Sequence, residues 1–187
     1  MTQSPPARPS LADIALNIAA FQAAWLALAL SAANGEPHWG IMVAGIALAL
    51  HLLRSPHWQP EATLAGLVTA AGVTVETALG MAGVLAPAAP FAWSPLPPLW
   101  LIALWAAFAT TLNVGLRPLA GRPVLQAVAG GVLAPLAYGL GIEIGALVVP
   151  QPGPSKTLAL AAIAATWAVT LPALMSIARR LDGWRPA

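Results

Sequence analysis

The sequence predicts an all-α fold, a polytopic transmembrane helix bundle of about six spans with both termini cytoplasmic. Three observations predict it. The 187 residues are 59% hydrophobic and 7% charged, against about 25% charged in a soluble domain. The apolar residues gather into six runs, at about 12–31, 38–54, 61–82, 97–116, 124–148 and 156–177. Each approaches the roughly 20 residues that carry a helix across ~30 Å of hydrocarbon, where the backbone must satisfy its own hydrogen bonds. Finally, Arg8, Arg54, Arg117, Arg122, Arg179, Arg180 and Arg185 all fall on one side of this pattern, leaving only Lys156 on the other. Positive charge is retained on the cytoplasmic side, so both termini are expected inside.

Residues 1–10, with Pro5, Pro6 and Pro9, read as a disordered cytoplasmic tail. The first run follows Arg8 and resembles a signal peptide only superficially. A signal core has about 7–15 apolar residues, and this run is longer, so it reads as a retained helix. Asn17 and Gln22 lie within it, five apart, as interhelical hydrogen-bonding groups. The second run is expected to be the shortest span. It carries His51, and His57 follows beyond Pro56 with no Asp or Cys nearby, so no metal site is expected.

The third run carries the most informative residue, Glu76. Gly72, Glu76 and Gly80 recur every four residues and share one helix stripe. Small residues beside a carboxyl indicate a close helix neighbour. The connection over 83–97 is uncharged and contains Trp93, so it is expected in the outer interface. Trp39, Trp93 and Trp100 are expected to form an outer aromatic belt, with Trp58 and Trp184 near the inner boundary. The fourth run places Thr110, Asn113 and Arg117 on one face. That face either holds an anionic lipid head group, through the forked donors of arginine, or makes an interhelical amide contact.

The fifth run has its own stripe of Ala127, Gly131, Pro135, Gly139 and Glu143, with Tyr138 beside it. Packed on the third-run stripe, it would bring Glu76 and Glu143 together. Carboxyls buried as a pair do not both ionise, which suits a proton carrier or a general acid. The structural alternative has Glu76 hydrogen-bonding a neighbouring helix and Glu143 in solvent. The sixth run closes the domain of residues 11–178, and residues 179–187 form a basic cytoplasmic tail.

Several chemistries are excluded. With no cysteine there is no disulfide, thiolate nucleophile or cysteine-ligated cluster. Asp13 and Asp182 are the only aspartates, and no G-x-S-x-G, H-E-x-x-H or G-x-x-x-x-G-K-[ST] occurs. No cofactor is expected. The net charge of +2 comes from flanking arginines and does not indicate nucleic-acid binding. No internal repeat is evident, which leaves an inverted-repeat transporter without support.

Two stretches carry a family resemblance. Asn17-Ile-Ala-Ala-Phe21-Gln22-Ala-Ala-Trp25 resembles an N-x-x-x-F-Q-x-x-W opening, and Pro97-Pro98-Leu99-Trp100 through Asn113 resembles a PPLW…LWAxFATTLN block. Together they are similar to the bacterial membrane-protein family called domain of unknown function 2878, over roughly residues 12–177. Val114 and Gly115 depart from the family block, which continues with His and Ser, whereas Glu76 keeps the charge of a usual Asp. The resemblance implies a bacterial inner membrane and the area of membrane-lipid metabolism, without an established activity.

Two functions follow as expectations. One is lipid handling, with membrane lipid and a lipid-modifying enzyme as partners, a polar pocket around Glu76 and a head-group contact at Arg117. The other is a small proton-coupled carrier with Glu76 as its protonatable site. A structural membrane subunit is the third reading.

Overall fold

The structure, a computed structural model, describes residues 9–89 and 95–181. Among these residues it has six α-helices: α1 Leu11–Ala33, α2 Pro37–Arg54, α3 Trp58–Met81, α4 Leu99–Leu112, α5 Pro123–Glu143 and α6 Lys156–Leu181. The expected runs map onto these helices. Local chemistry sets the boundaries. Ser10 opens α1 by accepting a bond from the Asp13 N–H at 3.1 Å, while Asp13 accepts from the Ser10 N–H at 2.9 Å, a reciprocal cap of two orphan donors. Pro37 and Pro123 stand at the first turn of α2 and α5, where a missing N–H costs nothing. Ser55 is extended ahead of Pro56 and ends α2.

α1, α3, α5 and α6 are long and apolar enough to cross a membrane. Leu26, Met42, Ile46, Val132, Leu136 and Val169 are exposed along the helices, a surface that suits lipid contact better than water. These features point to a membrane-embedded protein. The shortest helix is α4, with 14 residues, and not the 18-residue α2 as expected. At 1.5 Å per residue α4 spans only about 21 Å. The chain leaves it through a series of turns and a 3-10 turn at Arg117–Leu119.

α4 is the hub. It packs on α1, α2, α3 and α6, while α1 pairs with α2 and α5 pairs with α6. Its Trp105, Ala107, Ala109, Thr111 and Leu112 are all within 2% of full burial. The two longest connections meet on one face, where β1 Ala86–Pro87 pairs antiparallel with β2 Leu147–Val148. This clasp covers the buried Leu85 and Leu147. The expected interface segment at 83–97 is therefore partly a strand, and its Trp93 lies outside the described residues, as do Arg8, Trp184 and Arg185. Trp39 and Trp58 are exposed near helix starts, but Trp100 is only 6% exposed. It belongs to the core and not to an aromatic belt, because α4 is enclosed by its neighbours.

Candidate functional site

α3 buries Leu64, Val68, Gly72 and Glu76 along one stripe, and Glu76 is 6% exposed. The glycine one turn before it decides what the carboxyl meets. A Cβ at Gly72 would overlap the Trp105 indole ring, so only glycine lets α4 lay that ring across α3. The indole Nε1–H then donates to Glu76 Oε1 at 3.0 Å. Tyr138 of α5 donates its hydroxyl to the same oxygen. One carboxyl oxygen thus joins three helices. No Lys, Arg or His forms an ion pair with Glu76 among the described residues.

An aromatic cluster extends from this point. Trp105 stacks on Trp167 of α6 with centroids 4.9 Å apart and planes 19° apart. Phe108 meets Trp105 and Trp167 edge-on at 6.2 Å and 5.4 Å, and Phe21 of α1 meets Phe108 at 5.7 Å. Offset and edge-to-face contacts of this kind add about 0.5–1.5 kcal/mol each beyond burial. Gly130 allows the close approach of α5, since a Cβ there would strike the Trp167 main-chain carbonyl. The Trp167 Nε1–H is buried and faces the Tyr138 hydroxyl.

The cluster forms the floor of a groove of about 530 Å³. Its walls are α1 and α5, which have no packed interface with each other. Phe21, Gln22 and Trp25 line one wall, and Ala134 and Tyr138 the other. Gln22, Leu133 and Leu136 also line it and are exposed, so the groove has a mouth on the outer surface of the helices. Gln22 forms no hydrogen bond with another residue. The volume falls within the ~300–1,000 Å³ of small-molecule sites, which combine apolar walls with a few polar groups.

The remaining polar residues gather at the other end of α4. Asn17 of α1 donates to the Thr110 carbonyl at 3.1 Å and accepts from the Gly115 N–H at 3.0 Å, satisfying backbone groups freed where α4 stops. The Thr110 and Thr111 hydroxyls bond carbonyls of their own helix. Asn113 donates to Glu61 Oε1 at 2.9 Å, and His51 Nε2 lies 3.1 Å from Glu61 Oε2. Arg117 and Arg179 flank a small recess beside Asn113. Asn17, Asn113, His51 and Glu61 tie α1, α2, α3 and α4 together, which is the interhelical amide reading for Asn17 and Asn113, whereas the Thr110 hydroxyl stays within its own helix.

The expected pairing of Glu76 with Glu143 is corrected. Glu143 is exposed at the end of α5 and pairs with Lys156 at the start of α6. The buried stripe of α5 is Gln126, Gly130, Ala134, Tyr138 and Gly141, one residue away from the expected one. Its small residues admit α6, not α3. Among the sequence-predicted residues, then, Glu76 and Tyr138 meet, and Tyr138 and Gln22 line the groove while Glu76 does not. The sequence reading missed Trp105, Trp167 and Glu61. For Trp105 a signal existed, because the bare surface at Gly72 beside a carboxyl requires a large donor from another helix. Glu61 at the first turn of α3 looked like an ordinary helix-start acid.

No curated protein and no solved structure matches this chain. A family match extends over residues 14–173, which takes in all of the groove and the Asn17, Glu61 and Asn113 contacts but not Arg179. The chain therefore belongs to the family described as a protein of unknown function, DUF2878.

Proposed function

We propose that this is a lipid-handling protein of a bacterial inner membrane, N-in and C-in, which takes an apolar chain from the bilayer into the groove between α1 and α5. The observation that carries the proposal is the groove itself, about 530 Å³ of aromatic and aliphatic lining with its mouth among lipid-facing side chains. A ligand already in the bilayer enters such a site sideways without crossing water. Glu76 and Tyr138 stiffen its floor by binding α3, α4 and α5 through one oxygen. Membrane lipid is the partner, and a lipid-modifying enzyme is the natural recipient of what the groove holds. Arg117, beside Asn113 at the helix end, suits a phosphate head group at the cytoplasmic surface.

The test is quantitative lipid mass spectrometry on a strain lacking the gene, complemented with wild type or with Leu133→Trp to fill the mouth. A discrete lipid species should change on deletion, return with wild type and stay changed with Leu133→Trp. An unaltered lipidome, with the gene expressed in the parent strain, rejects the proposal.

A proton-coupled carrier is the second reading, favoured by the burial of Glu76 without a cation beside it. It requires pH-dependent substrate movement in liposomes that Glu76→Gln abolishes. Against it, Tyr138 and Trp105 occupy one oxygen of the carboxyl.

A further inference from the structure

Inside a bilayer the apolar walls of the groove compete with lipid tails of the same character, so they hold a ligand without selecting it. Selection falls to polar groups. Besides its indole rings, the polar side chains that line the groove are Gln22, Thr111 and Tyr138. The Thr111 hydroxyl donates to the Phe108 carbonyl of its own helix, and the Tyr138 hydroxyl donates to Glu76. The Gln22 side chain is exposed at the mouth and bonds to no other residue among the described ones. Gln22 is the twelfth of the 23 residues of α1, so it stands at mid-depth, where an unpaired amide is costly. Along its length the groove runs from Ile18, which lies against Gly115, to Leu147 of the clasp, which is buried against Gly141. On α1 the lining extends from Ile18 to Ala29, about 17 Å at 1.5 Å per residue, with Gln22 near the centre.

We propose that the groove selects an uncharged lipid with a free hydroxyl group, which pairs with the Gln22 amide through two hydrogen bonds. This rests on the lipid-handling reading and specifies the class of ligand. A side-chain amide presents a donor and an acceptor side by side, and a hydroxyl is both at one atom. The ligand O–H donates to Gln22 Oε1, while its oxygen accepts from Nε2–H. Other lipid polar groups match the amide less well. An ester, ketone or ether offers only acceptors and leaves Oε1 unpaired. Phosphate, amine and carboxylate groups carry charge, and neither a carboxylate nor a cation lines the groove to offset it. A hydroxyl stays neutral and costs least at this depth. The polar group of the ligand is then read at mid-depth by α1, and Arg117 lies outside the groove.

The experiment uses the purified full chain in a detergent without hydroxyl groups, with a long-chain primary alcohol, its methyl ether and the alkane of equal length as probes. Native mass spectrometry measures the retention of each. The alcohol should be retained roughly 3- to 30-fold more tightly than the alkane, the range a polar side-chain contact supplies inside a membrane, with the ether between them. Gln22→Leu, at an exposed position that does not endanger folding, should bring the three probes to equal retention. Leu133→Trp, which fills the mouth, should lower the retention of all three. Alcohol and ether held alike, or a preference that survives Gln22→Leu, overturns the hydroxyl assignment while leaving an apolar groove in place. A wild-type dimer that Gln22→Leu dissociates gives the amide to a second copy of the chain and overturns the assignment as well. Retention of no probe, or retention that Leu133→Trp leaves unchanged, overturns the groove reading and the assignment with it.

Discussion

Glu76 Oε1 accepts from Trp105 and Tyr138, so replacing the carboxyl tests an architecture as much as a chemistry. Glu76→Gln keeps an acceptor oxygen for both donors and should leave thermal stability in detergent close to wild type. Glu76→Leu leaves two buried donors without a partner, at about 1–3 kcal/mol each, and should lower the melting temperature clearly. Equal melting of the two variants would show that the two bonds do not hold the bundle. At this scale the sequence was informative about where a carboxyl is buried and silent about what touches it. Glycines around Glu76 announce a close neighbour, but Trp100, Trp105 and Phe108 are all aromatics on the same run. Which one reaches Gly72 depends on how α4 is rotated, and no local spacing determines that. Glu143 was misplaced for the same reason: a carboxyl near a helix end finds solvent and Lys156 more readily than a buried partner.

At the level of elements, α4 ends early and survives because α1 completes it. Asn17 satisfies the Gly115 N–H and the Thr110 carbonyl across the interface, whereas Gln22 on the same helix makes no such bond. Asn17→Ala should therefore destabilise the protein by about 1–3 kcal/mol, and Gln22→Ala should not do so measurably. Thermal or denaturant unfolding of the pair of variants checks this, and a reversed order would contradict the assignment. The helix positions themselves were readable from hydropathy, because proline and charge mark where lipid contact ends. Helix partnership was not. The stripe of small residues on α5 correctly indicated a close approach, but the neighbour is α6, the next helix in the chain.

For the whole molecule, orientation rests on the distribution of arginine and is open to direct test because the chain has no cysteine. Ser55→Cys and Gln151→Cys place single thiols in the α2–α3 turn and the α5–α6 connection. In intact cells stripped of their outer envelope, a membrane-impermeant maleimide should label Gln151→Cys and reach Ser55→Cys only after lysis. Labelling in the opposite sense would invert the proposed topology. An all-α bundle was fully legible from composition and run length. The groove was not, since it arises from two helices that fail to pack, and an unfilled interface leaves no periodic trace in either one.

The bonds that satisfy Glu76 also impose an order in time. Its donors lie 29 and 62 residues further along the chain, and translation proceeds at about 5–20 residues per second. The growing chain therefore carries an acid on α3 for about 3–12 s before Tyr138 has even been synthesised. Trp105 is made first, so the nascent chain acquires one donor on α4 while α5 is still in the ribosome. Until Tyr138 is made, the carboxyl on α3 therefore has at most one of its two side-chain donors within the chain.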